Sequence, residues 1–179
     1  MTKFVKCYEP SGAVEIEPGI VLIVEDEKEH PLVVVDFNQP DPVETEHFPP
    51  ESFAPTLAKK LNDLEGVTVD GDGTYYLTTS HSRNKKGKVK NDREKVLRMR
   101  WDGEGFVEPR VITGLRDAIK KLKSKKLVKS LKRKPKKDLG FNIEGLAWHT
   151  DGRLRFGLRS PLIRRESGGS GSGKRGRCI

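Results

Sequence analysis

The chain has 179 residues, 34% apolar and 34% charged, with a net charge of +9. That is enough for one domain of ordinary size and too apolar for a wholly disordered chain. Its longest apolar run, Ile20–Val24, is far too short to span a bilayer as a helix, so no membrane role is expected.

The charge is divided along the chain. Residues 1–78 hold 5 Lys/Arg against 16 Asp/Glu, whereas residues 79–179 hold 30 against 10. Leu115–Lys137 alone carries 12 Lys/Arg and one Asp, and without it the chain would stand at −2. The basic balance therefore belongs to one segment rather than to the fold. Cys7 and Cys178 lie near opposite ends with no Cys-x-x-Cys spacing, which argues against a disulfide framework or a zinc ribbon. Met1–Pro10 lacks the apolar core of a signal peptide, and the expected location is cytoplasmic. The terminal Cys-Ile does not fit a prenylation box.

Taken in order, Cys7–Glu29 reads as strand, turn at Pro18-Gly19, strand over Ile20–Val24, and an acidic end. Leu32–Val35 is rich in β-branched residues and predicts a third strand. Asn38–Pro55 is acidic and proline-rich and is read as a connection. Ser52–Leu61 places Leu57, Ala58 and Leu61 at helical spacing and predicts a short helix. Val67–Val69 and Thr74–Thr78 predict a hairpin across Asp70-Gly71-Asp72-Gly73. That turn has the outline of a calcium loop but lacks the twelve-residue spacing and the closing Glu. Lys95–Trp101 and Phe106–Ile112 predict two more strands around Asp102-Gly103. Leu115, Ala118, Ile119 and Leu122 share one helical face, while Leu127, Val128 and Leu131 fall on another. Two short helices broken near Ser124 are therefore expected. Leu146–Trp148 and Leu154–Leu158 form the last hairpin, across Thr150-Asp151-Gly152. The Gly/Ser/basic composition from Ser167 is that of a flexible tail.

The same small unit recurs. LEGVTVDGDGTYYLTTSHSR at Leu64–Arg83 and IEGLAWHTDGRLRFGLRSP at Ile143–Pro161 each run apolar-Glu-Gly, strand, Asp-Gly turn, strand, and a cluster with Ser and Arg. Ser11-Gly12 opens a similar unit near the start. The spacing from Gly12 to Gly66 is 54 residues, and from Gly66 to Gly145 it is again about 54 once the lysine-rich stretch is removed. A period near 50 with several short strands per unit is what propeller blades show. The expected fold is mainly β: a partial β-propeller of about three antiparallel blades over residues 1–166. A basic helical insertion at 115–137 interrupts it, and a flexible tail follows at 167–179.

Glu65 and Glu144 occupy matching points of two units. Carboxylates that converge on a propeller axis need a cation, and hard oxygen ligands suit calcium or magnesium; Asp26 or Glu27 would contribute from the first unit. The alternative is that each Glu caps a turn. Ser80, His81, Ser82 and Arg83 end one unit, and Arg159 and Ser160 end the other. Arg with hydroxyls favours a small anionic ligand, and His81 has the chemistry of a general base. The alternative is hydrogen bonding between blades. No Gly-x-Ser-x-Gly elbow supports a serine nucleophile. Leu115–Lys137 suits nucleic acid through phosphate neutralisation, but has no aromatic residue to stack on bases, and a solvated, partly mobile insertion is the simpler reading.

Asp63-Leu64-Glu65-Gly66, Ser80-His81-Ser82-Arg83-Asn84, Gly114-Leu115-Arg116-Asp117-Ala118, Asn142-Ile143-Glu144-Gly145-Leu146-Ala147 and Gly157-Leu158-Arg159-Ser160-Pro161 together resemble the signature blocks of domain-of-unknown-function family 3616. The resemblance runs over about Val5–Ile163. It implies a bacterial protein with a β-propeller-like fold, distantly similar to esterase-like phytases, and no established activity. The lysine-rich stretch is unusually basic for that family. Family members continue beyond the last block, so the chain is expected to be the first part of such a protein, with an open ring. Three functions follow as expectations. One is a propeller holding calcium or a small anionic ligand at its axis, phosphoesterase-like at most. The others are a non-enzymatic scaffold for protein partners and a nucleic-acid-associated protein.

Overall fold

The computed structural model describes residues 4–26, 31–46, 61–135 and 139–162. Residues 52–60 of the expected helix, Glu27, Cys178 and the tail lie outside them. Among the described residues, ten strands form three antiparallel sheets, each built from consecutive strands. The first holds β1 (Pro10–Glu17), β2 (Ile20–Glu25), β3 (Leu32–Asp36) and β4 (Val43–Glu46). The second holds β5 (Leu64–Val69), β6 (Thr74–Thr79), β7 (Val96–Trp101) and β8 (Phe106–Ile112). The third pairs β9 (Asn142–His149) with β10 (Arg153–Ser160).

Short apolar runs and tight turns explain the strands. Gly19 takes φ 75° in the Pro18-Gly19 turn, which only glycine does without strain. Asp70 closes the β5–β6 turn by accepting 2.9 Å bonds from the Asp72 and Thr74 amides, so its carboxylate serves the hairpin. One expectation needs correction. Val43–Glu46 is a strand rather than part of a featureless connection. It pairs with β3 from Val33↔Glu46 to Asp36↔Val43, and its alternating VETE pattern suits a short, charged edge strand. Pro109 likewise sits in β8, at the edge of its sheet, next to Glu108 with φ 52°.

The first strands of the three sheets lie side by side, with β5 packed against both β1 and β9. Gly12, Gly66 and Gly145 form the seam. A Cβ on Gly12 would stand 3.3 Å from the Gly66 Cα, and one on Gly66 would stand 2.9 Å from the Leu146 nitrogen. Main chains this close require residues without side chains. The 54-residue period is therefore the period of these contacts.

Between the first two sheets lies one core, with Leu22, Val24, Leu32, Leu64, Leu77, Leu97 and Met99 almost fully buried. Polar ties cross the same boundaries. Trp101 Nε1 donates to Glu17 at 2.7 Å, the Trp148 amide donates to Thr68 Oγ1 at 2.9 Å, and Trp148 stacks on Tyr76 with ring centroids 5.5 Å apart. The described strands do not close into a barrel, and their arrangement is consistent with part of a propeller.

The insertion forms α1 (Leu115–Lys120) and α2 (Lys125–Ser130), separated at Ser124, whose Oγ accepts from the Leu127 amide and caps α2. It is packed rather than loose. Ile119, Leu127 and Leu131 form a second core with Phe141 and Ile143. Its described lysines, from Lys120 to Lys134, are exposed. Among the described residues no helix is long and apolar enough to cross a membrane.

Candidate functional site

Three carboxylates meet where the first two sheets adjoin. Asp26 follows the end of β2, and its amide donates to the Glu9 carbonyl at 3.1 Å. Asp63 immediately precedes β5 and adopts φ 67°, a left-handed conformation that Asp tolerates better than most residues. Its carbonyl accepts from the Ser80 amide at 2.8 Å, which sets it opposite the end of β6. Glu65 lies two residues on, in β5, where the pairing with β6 shifts register between Leu64 and Gly66. One carboxylate oxygen from each of Asp26, Asp63 and Glu65 lies within 4.8 Å of the other two.

That spacing suits a single cation. Ligand oxygens about 2.4 Å from a calcium ion are at most about 4.8 Å apart. The near side of the group is tied down by the protein. Asp63 Oδ2 accepts from Ser80 Oγ, lies 3.3 Å from Ser82 Oγ, and forms a 2.9 Å ion pair with Arg93 Nη1. Arg93 arrives from the one-turn 3₁₀ segment Asn91–Arg93 and also donates to Ser82 Oγ at 3.3 Å. Arg93 thus pairs with Asp63 and also acts on Asp26.

Burial and mutual repulsion show in the acidities. Burial pushes the Asp26 carboxyl up to about 7, helped by its hydrogen bond to Asp63 and the Asp63 charge, and opposed by Arg93. Burial likewise pushes Glu65 up to about 8, helped by the charges of Asp63, Asp26 and Glu144 and opposed by Arg159. Near neutral pH the group holds protons in place of a second cation.

The other expected site residues are distributed differently. Glu144 is exposed on β9 and pairs with Arg159 Nη1 at 2.6 Å across the β9–β10 hairpin, with Asn142 Nδ2 at 3.2 Å. It adds its charge to the field at Glu65 but does not join the converging trio. Ser80 and Ser82 serve Asp63. Ser160 Oγ donates to the Gly140 carbonyl. Arg83 turns the other way, with Nε on the Leu131 carbonyl at 2.8 Å and Nη1 on Gly87 at 2.8 Å. His81 is 1% exposed, and its φ is 52°. Burial, with the Arg116 charge, lowers its imidazole to about 4, so the ring is neutral. It lies in the wall of a cavity of about 540 Å³ beside α1 and α2.

Reading the sequence missed Asp63 and Arg93. No periodic signal marked Asp63, because its left-handed backbone, with φ 67°, takes it out of the strand alternation. None marked Arg93 either, because a one-turn 3₁₀ segment carries no periodicity.

Residues 112–167 match the family described as Protein of unknown function (DUF3616), and this supports the chain's place in that family. The match spans α1, α2, β9 and β10, and so includes three of the five sequence blocks. No curated protein matches the chain.

Proposed function

We propose that this chain of the DUF3616 family binds a divalent cation, calcium in the first instance, through Asp26, Asp63 and Glu65. The observation that carries this reading is the convergence of the three carboxylates within 4.8 Å, on main chain fixed by the β5–β6 pairing. All three donors are hard oxygens, which favour calcium or magnesium over softer metals. The cation would displace the protons now held by Asp26 and Glu65 and neutralise the charge that Arg93 leaves over. When bound it would supply a Lewis-acid centre beside Arg93, a pairing that suits a small anionic ligand and, at its furthest, phosphoester chemistry.

The test is isothermal calorimetry of the purified chain with calcium and with magnesium, beside thermal melts in chelator and in each ion. A ligand that binds only the folded state raises its stability with concentration. Saturable heat and an upward melting shift are expected for the native sequence, and both are expected to vanish in Asp26→Asn/Glu65→Gln. Calcium heat that survives this double substitution would overturn the assignment.

A further inference from the structure

A cavity lies apart from the acidic trio, between residues 81–94 and the helical insertion. Its volume is about 540 Å³, within the range of about 300–1,000 Å³ usual for small-molecule sites. Its walls have two characters. Val89, Leu115, Val128 and Leu131 supply an apolar side. Charged groups supply the other, and their balance is decisive. Arg116 Nε pairs with Glu94 at 2.8 Å, and Lys120 pairs with Asp117 at 2.6 Å, so these four cancel. Arg83 and Lys132 add two more cations to this wall, and Arg83 acts on Glu94 only through its charge, alongside that of Arg116. Arg83 spends two of its three nitrogens on main-chain carbonyls, which fixes the guanidinium in place.

His81 completes the wall. Its neutral ring has one donor and one acceptor. Neither ring nitrogen makes a hydrogen bond of good geometry, and the Lys95 main chain is the polar group nearest to pairing with it. Buried polar atoms without partners are uncommon and destabilising, and they mark places where the protein itself does not supply the complement. The wall is also rigid. Arg116 donates to the His81 carbonyl at 2.8 Å and to the Leu131 carbonyl at 2.5 Å, and this clamps the insertion onto the sheet. A cavity between clamped elements keeps its shape and can select a ligand by shape.

We propose that this cavity binds a small organic anion, with its phosphate or carboxylate held by Arg83 and Lys132 and its apolar body against Val89, Leu115, Val128 and Leu131. The acidic trio is not needed for this, and the test is made in chelator so that the two assignments stand or fall separately.

Three probes dissect the site by calorimetry: 1-naphthyl phosphate, inorganic phosphate and 1-naphthalenemethanol. The naphthyl phosphate is expected to bind saturably and at least about tenfold more tightly than either of the other two. Lys132→Glu, at an exposed position that does not threaten folding, is expected to weaken it by about tenfold or more. Val128→Trp is expected to fill the cavity and abolish binding. Lys125→Glu removes the same charge from the same insertion outside this cavity, and is expected to change affinity by less than about twofold. Equal binding of the alcohol would overturn the anion assignment. Equal losses in Lys125→Glu and Lys132→Glu would replace the cavity with the diffuse basic surface of the insertion. Should Val128→Trp fail to fold, the two lysine variants decide the question.

Discussion

Gly66 lies so close to the main chain of Leu146 that a Cβ on it would stand 2.9 Å from the Leu146 nitrogen. Real Cβ atoms do not approach backbone that closely, so Gly66→Ala must push β5 and β9 apart. The expected loss is about 1–3 kcal/mol, the usual range for overpacking. For a chain of this size each kcal/mol lowers the melting temperature by about 2–4 °C. Gly71→Ala is the control, because nothing lies within 4 Å of a Cβ there. A Gly66→Ala melt superimposable on the native one would mean that the glycine seam does not hold these sheets together.

Asp26 and Glu65 make stability depend on pH in a stated direction. Their carboxyls stand near 7 and near 8 in the folded protein, above the values of about 3.9 and 4.3 for unfolded chain. Between about pH 4 and these folded values the native state holds more protons than the unfolded state, so metal-free stability falls as pH rises. Denaturant unfolding in chelator is expected to show this decline from pH 5 to pH 8.5. Asp26→Asn/Glu65→Gln is expected to flatten it. Calcium is expected to stabilise the native sequence more at pH 8.5 than at pH 6, where protons compete for the same oxygens. A calcium effect that shrinks as pH rises contradicts the assignment.

Arg116 holds the insertion by three contacts, to Glu94, to the His81 carbonyl and to the Leu131 carbonyl. Arg116→Ala leaves a half-buried carboxylate and two carbonyls without their donor. A loss of about 2–4 kcal/mol is expected in urea unfolding. Arg116→Lys keeps the charge but not the fork, and is expected to restore less than half of that loss. Hydrogen exchange would place the damage: amides of α1 and α2 should open first. Uniform acceleration over all three sheets would mean that Arg116 supports the whole fold.

Cys7 is a free, half-buried thiol. Burial pushes it up to about 12, with further contributions from the charges of Glu25 and Glu44. Almost none of it is thiolate at pH 8, so iodoacetamide is expected to modify it far more slowly than free cysteine. The measurement is best made by mass spectrometry in a Cys178→Ser background. Glu44→Gln removes one of the raising charges and is expected to speed the reaction. A native Cys7 that reacts as fast as free cysteine would show that its carboxylate neighbours do not hold the proton on sulfur.

Much of this architecture is legible in the residues, and the reasons differ from element to element. The hairpins announce themselves through Asp-Gly turns between β-branched runs. The inner strands announce themselves through Gly12, Gly66 and Gly145, because close main-chain approach admits few other residues. The break at Ser124 shows in the change of helical face. What stays hidden depends on partners distant in sequence. Val43–Glu46 becomes a strand only because β3 offers an edge. Glu65 and Glu144 look equivalent, but Arg159 draws Glu144 into a pair across its own hairpin, while Asp26 and Asp63 close on Glu65. Asp63 enters the site through a left-handed backbone turn and a bond to Ser80, neither of which has a one-dimensional pattern.

The insertion leaves from β8, at the outer edge of its sheet, and returns as β9 beside β5. Its covalent path is long, but its attachment to the rest of the protein is made by side chains, chiefly Arg83, Arg116 and the small core around Leu127. A chain severed between Ile112 and Leu115 would keep every strand pairing intact on one side or the other of the cut. The two fragments would meet along the Gly66–Gly145 seam and the Tyr76–Trp148 stack. That geometry suits reconstitution from separate pieces, with the cavity beside His81 forming only upon reassembly.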